Sequence, residues 1–166
     1  MTSTRCLLLL LIGLLMSGCG YQLRGSLAMP ESLKNVYVFN ASSPLQTELQ
    51  AILKSSRATM ANSPNEAGIV VKVLKEDIRS RVLSIGSAGK TSESELNYYL
   101  QFQFYDSQEH ELMEEQTIEI AREYFNDQSA VLARSNEDLI IRKEIYKQAS
   151  RMLLARARVA AEKLKK

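Results

Sequence analysis

Few residues of the types that perform chemistry occur in this chain of 166 amino acids, and their spacing does not favour catalysis. Gly89-Lys90-Thr91 has the ending of a phosphate-binding loop, in which backbone N–H groups and a lysine cradle phosphate. That loop needs glycine at position 84, where Ser84 stands, and a helix directly afterwards, where the residues alternate like a strand. The expectation is a hairpin tip over 86–94 with Lys90 in solvent and no nucleotide site. His110 is the only histidine and lies in a polar turn, Asp106 to His110. Nucleophilic catalysis through histidine needs a third group that orients the base, and nothing in the sequence specifies one. Glu114 and Glu115 would point to opposite faces of a strand, a poor arrangement for paired acid and base. One histidine and two cysteines are too few for a conventional zinc site. No catalytic residue, metal or diffusible cofactor is expected, and a binding or assembly role follows by elimination.

One residue does carry chemistry. Arg5 precedes a largely apolar run, Leu7 to Met16, followed by Ser17, Gly18 and Cys19. The run is too short to span a bilayer, which takes about 20 residues, and it suits the apolar region of a signal peptide. The small residues before Cys19 resemble the lipobox of bacterial lipoproteins, with Met16 where leucine is usual. The resemblance implies cleavage of residues 1–18 and lipidation of Cys19 on its thiol and new amine. Ordinary cleavage leaving a free Cys19 is the alternative. Each buried CH₂ contributes about 0.8 kcal/mol, so a three-chain anchor would hold permanently. Gly20, in place of aspartate, implies sorting to the periplasmic side of the outer membrane.

The elements that follow read as one α+β domain over 35–166, joined to the anchor by a tether over 19–34. A hydrophobic content of 45% excludes a disordered chain, and a net charge of +2 argues against a nucleic-acid partner. Val36 to Phe39 reads as a strand. Ser43-Pro44-Leu45-Gln46 reads as a capped helix start. Leu45, Leu49, Ile52 and Leu53 give that helix one apolar face to about Arg57. Ile69 to Ile85 reads as one long strand or a bent pair. From about Ser94, Leu96, Tyr98, Leu100, Phe102 and Phe104 alternate with polar residues, which marks a strand buried on one side. Gln116 to Phe125 alternates again and should pair with it. Ser135 to Asp138 resembles a capping box. Beyond it an apolar stripe runs from Leu139 through Ile145, Ala149, Leu153 and Ala157 to Leu164. The expected architecture is two helices packed on one face of a mainly antiparallel sheet of about four strands.

Charge is uneven along the chain. Residues 106–127 hold eight acidic side chains against one arginine, and residues 142–166 hold nine basic ones against two glutamates. Neighbouring elements could neutralise one another, or the basic side could meet phosphate or acidic loops.

Cys19-Gly20-Tyr21-Gln22-Leu23-Arg24-Gly25 resembles the start of the lipopolysaccharide-assembly lipoprotein family, LptE. Arg122-Glu123-Tyr124-Phe125-Asn126-Asp127, then Leu132-Ala133, resembles that family's strand end and turn before its last helix. The resemblance implies a non-enzymatic outer-membrane lipoprotein that plugs an LptD-type β-barrel, assists its assembly and takes part in placing lipopolysaccharide on the outer leaflet. A pilot or chaperone for a different outer-membrane pore would share the anchor and the compact fold. Lipopolysaccharide phosphates call for Lys and Arg. Arg79, Arg81 and Lys90 are the candidates, with Arg79 and Arg81 on one strand face; they could equally be solvated strand charges.

Overall fold

A computed structural model describes residues 29–85, 91–125 and 131–163. The leader 1–18, Cys19, Arg24 and Lys90 lie outside the described residues. A 3-10 turn, Glu31–Leu33, leads into β1 (Asn35–Phe39), whose Val36 and Val38 point into the core. Next comes α1 (Ser43–Ser55). Its cap is Ser42 rather than Ser43: the Ser42 Oγ accepts the Leu45 N–H at 3.4 Å, leaving Ser43 and Pro44 in the first turn. Gln46 does not close a box with Ser43; its side-chain amide donates to the Ala41 carbonyl at 2.8 Å. Leu45, Leu49 and Leu53 are fully buried, each contributing about 1.5–3 kcal/mol by area removed from water. Arg57, at φ 56°, turns the chain after the helix.

The sheet has five strands rather than four, and it is mixed. β2 (Thr59–Met60), β3 (Ile69–Ile85), β4 (Thr91–Tyr105) and β5 (Gln116–Phe125) complete it in the order β2-β1-β3-β4-β5. β1 is parallel to both its neighbours, and the β3-β4-β5 meander is antiparallel. The chain returns between β1 and β2 through α1, and between β2 and β3 through the 3-10 turn Pro64–Glu66, which makes the pairs with β1 parallel, whereas antiparallel neighbours need only a hairpin. β2 is too short to leave a periodic signal. It is held by Thr59 N–H to the Lys34 carbonyl at 2.7 Å and Ala61 N–H to the Val36 carbonyl at 2.9 Å.

β3 is one strand whose face assignment changes midway. Val71 and Val73 pair with Phe104 and Phe102 on the core face. Leu74 then has no partner, and Lys75 pairs with Gln101. One extra residue in a strand shifts every later side chain to the other parity. Lys75, Asp77, Arg79 and Arg81 therefore stand on the open face, and Glu76 and Ile78 stand beneath the helices. The Val73 carbonyl at the bulge accepts a hydrogen bond from the Asn40 side-chain amide at 3.3 Å, and Asn40 itself adopts φ 61°, a conformation asparagine tolerates.

α2 (Val131–Lys163) begins before the expected box, so Ser135 to Asp138 lies inside the helix. Ile145, Ala149, Leu153, Ala157 and Ala160 of the expected stripe are buried. Leu139 is not; it is 64% exposed, because the early turns of α2 run past the core. Leu164 lies outside the described residues. Small side chains at Ala149, Ser150, Ala157, Ala160 and Ala161 let the helix backbone approach its neighbours closely. Both helices share one core with the Val71, Phe102, Phe104 and Leu100 side of the sheet. Among the described residues, no helix or strand covers the opposite side.

Candidate functional site

The outer half of the β3–β4 hairpin carries two of the three candidate cations. Register places Arg79 opposite Asn97 and Arg81 opposite Glu95, both on the open face. The Arg79 Nε lies 2.5 Å from Asp77 Oδ2, and an Arg81 terminal nitrogen lies 2.9 Å from Glu95 Oε1. The Asn97 amide donates to the same Glu95 oxygen at 2.6 Å. An ion pair as exposed as that of Arg79 contributes about 0–1 kcal/mol, whereas Glu95 is buried beneath Arg81. Each pair uses one nitrogen of a five-donor fork, so both guanidiniums keep donors for a phosphate. Val82, Leu83 and Ile85 follow within four residues and are exposed. Cations beside apolar side chains suit an amphiphile carrying both phosphate and acyl chains. The third candidate, Lys90, lies outside the described residues, so only Arg79 and Arg81 are placed together.

A second cluster left no signal in the sequence. Glu76, turned inward by the bulge, accepts hydrogen bonds from the Ser42 backbone N–H at 2.8 Å, the Ser42 hydroxyl at 2.6 Å and the Tyr98 hydroxyl at 3.0 Å. The carboxylate thus faces the N-terminus of α1, where the helix dipole favours negative charge. Tyr146 from α2 stacks edge-on against Tyr98 with ring centroids 5.3 Å apart. Burial first, then the Glu76 charge, pushes both phenols above the ordinary tyrosine range. The cluster joins β3, β4 and both helices and stays protonated at the tyrosines, which suits a structural clasp.

His110 has one side-chain partner among the described residues, Asp106, with Nδ1 and Oδ2 2.9 Å apart. The Asp106 carboxylate also accepts the backbone N–H groups of Gln108 and His110. The His110 backbone donor is the leading reason its pKa lies below the usual carboxylate value. The pair closes the turn on the surface. Its four-residue spacing within one polar turn was the available signal for it.

The charge poles do not meet as ion pairs among the described residues. Arg122 bonds the Gln148 side chain, and Arg156 donates to the Thr117 carbonyl at 2.7 Å. Lys143, Lys147 and Arg151 remain exposed along α2. No described group of three His, Cys, Asp or Glu could hold a metal, and no described helix is long and apolar enough to cross a membrane.

This α+β layer is a fold also seen in solved structures of bacterial lipoproteins. The fold is similar to the solution structure of uncharacterized lipoprotein B from Nitrosomonas europaea, with TM-score 0.68 and 23% identity over 84% of this chain and 90% of that one. It is also similar to rare lipoprotein B from Shewanella oneidensis, with TM-score 0.64 and 23% identity over 80% of this chain and 99% of that one. In sequence, an LPS-assembly lipoprotein LptE from Photorhabdus laumondii is 27% identical over 152 residues, covering 89% of this chain and 81% of its own. One from Pectobacterium atrosepticum is 27% identical over 144 residues, covering 85% and 77%. The LptE family profile, described as lipopolysaccharide-assembly, matches residues 33–157, and the chain belongs to that family.

Proposed function

We propose that this protein is a lipid-anchored, non-enzymatic component of lipopolysaccharide assembly at the outer membrane. The family match over residues 33–157 carries the reading. In it, Cys19 holds the acyl anchor on the periplasmic side. The folded part seats inside an LptD-type β-barrel, plugs it, assists its assembly and contacts lipopolysaccharide in transit to the outer leaflet. Large barrels have polar interiors, and a plug must present a polar surface of mixed charge to them. The open sheet face, with Lys75, Asp77, Arg79, Arg81 and Glu95, supports that fit. Arg79, Arg81 and Lys90 are the phosphate contacts.

The test is an affinity pull-down of the intact lipoprotein from detergent-solubilised outer membrane, with partners identified by mass. A stoichiometric large barrel bearing a periplasmic domain is the expected result. A different pore would replace this reading with that of a pilot lipoprotein, and recovery of no pore would overturn both.

A further inference from the structure

A second site lies on the open face at the opposite end of the sheet from the arginines. Register sets Tyr37 beside Val70 and Val70 beside Tyr105, so one row crosses three strands as tyrosine, valine, tyrosine. Adjacent strands are about 4.8 Å apart, which separates the two tyrosine positions by roughly 10 Å over the smaller valine. The next row places Phe39 beside Lys72. Together with the turn after β4, these residues line a cavity of about 350 Å³.

Three features distinguish the trough from ordinary cross-strand packing. Phe39 is 51% exposed although it sits in a strand. Lys72 has no carboxylate partner among the described residues, and its Nζ stands 6.0 Å from the Tyr105 ring centroid. Glu109, which lines the same cavity, holds φ 65°, a conformation that glycine or asparagine would adopt more cheaply. An aromatic face is electron-rich and attracts the weakly positive C–H bonds on the flat side of a sugar ring. A carboxylate accepts hydrogen bonds from sugar hydroxyls, and a lone ammonium attracts phosphate. We infer that the Tyr37–Val70–Tyr105 trough binds a phosphorylated pyranose, with the rings as walls, Lys72 on the phosphate and Glu109 on the hydroxyls. Asp106 is not part of the recognition set, because its carboxylate is already engaged by its own turn.

This inference rests on the lipopolysaccharide reading above and assigns the sugar portion of that ligand to a place separate from Arg79 and Arg81. The probe is phosphorylated core oligosaccharide freed of acyl chains by alkaline deacylation, titrated into the intact lipoprotein in detergent. Lys72→Gln and Glu109→Gly should each weaken binding by about tenfold or more. Glu109→Gly should also keep or raise the melting temperature, which separates recognition from folding. Lys147→Gln, on the exposed side of α2, is the control and should bind like the parent. Absence of saturable binding, or binding indifferent to Lys72→Gln and Glu109→Gly, overturns the inference. Equal affinity for neutral maltohexaose overturns the assignment to a phosphorylated sugar. The pull-down reports separately on the assembly reading, so a barrel recovered without oligosaccharide binding leaves that reading standing and removes this one.

Discussion

The hydroxyl of Tyr98 donates to Oε1 of Glu76 at 3.0 Å, across two neighbouring strands and beneath the helix layer. The contact exists because the Leu74 bulge turns Glu76 inward. It ties the sheet to the N-terminus of α1 through Ser42 and to α2 through the ring of Tyr146. Tyr98→Phe should therefore destabilise the fold by about 1–2 kcal/mol, read from urea unfolding.

The same cluster sets an alkaline limit. Tyr98 and Tyr146 have pKa values raised in the folded state. Above the unfolded tyrosine pKa, about 10, the unfolded chain releases protons that the folded chain keeps. Stability is complete below that pH and falls as pH rises beyond it. Tyr98→Phe should flatten the decline between pH 10 and 11; an unchanged slope would contradict the assignment.

Gly68 fills a position where backbone meets backbone. A Cβ there would stand 2.3 Å from the Ser32 carbonyl oxygen. Gly68→Ala should cost about 1–3 kcal/mol by forcing the Glu31–Leu33 turn away from the start of β3, visible as a lower melting temperature.

Ser150 is fully buried, and its hydroxyl has no hydrogen-bond partner among the described residues. Removing an unpaired polar atom from a helix interior should help, since alanine is also the better helix former. Ser150→Ala should raise stability by about 0.5–1 kcal/mol in the same urea assay.

Arg81 balances a carboxylate that is more buried than itself: the Glu95 side chain is 11% exposed against 67% for Arg81. Arg81→Ala should lower stability by about 1 kcal/mol, and Glu95→Gln in that background should recover most of it. A double-mutant cycle with no coupling would refute the pairing.

Replacing Arg79, Arg81 and Lys90 together with alanine should weaken lipopolysaccharide binding by about tenfold or more while the circular dichroism spectrum is unchanged. The Glu95→Gln background keeps the triple variant folded if the loss of Arg81 proves costly. A folded triple variant that binds like the parent would remove these residues from the site.

The sequence made β4 legible because Leu96 to Phe104 keeps a strict period of two over a face that is buried throughout. It made α1 legible, with its cap one residue off, because Ser42 and Ser43 are equivalent by type and only the placement of Glu76 selects Ser42. Glu76 itself was silent. A single extra residue at Leu74 changes the parity of the strand from Lys75 to Val82, and composition holds no mark of where that residue sits. The open-face trough was hidden because Tyr37, Val70 and Tyr105 meet only through pairings between distant segments. The charge poles were legible as totals, but whether they touch depends on helix placement.

The bulge also decides where this chain can change length. Removing Leu74 would join Val73 directly to Lys75 and leave Phe102 and Gln101 facing the partners they already have. The ladder would lose its kink and keep its alternation. Removing Ile78, a few residues on, would put Arg79 in the place of an apolar side chain that packs against the core and would turn Arg81 off the open face. Two deletions of equal size in one strand thus differ in outcome, and the position the pattern tolerates is the one that looks, in the sequence, like its interruption.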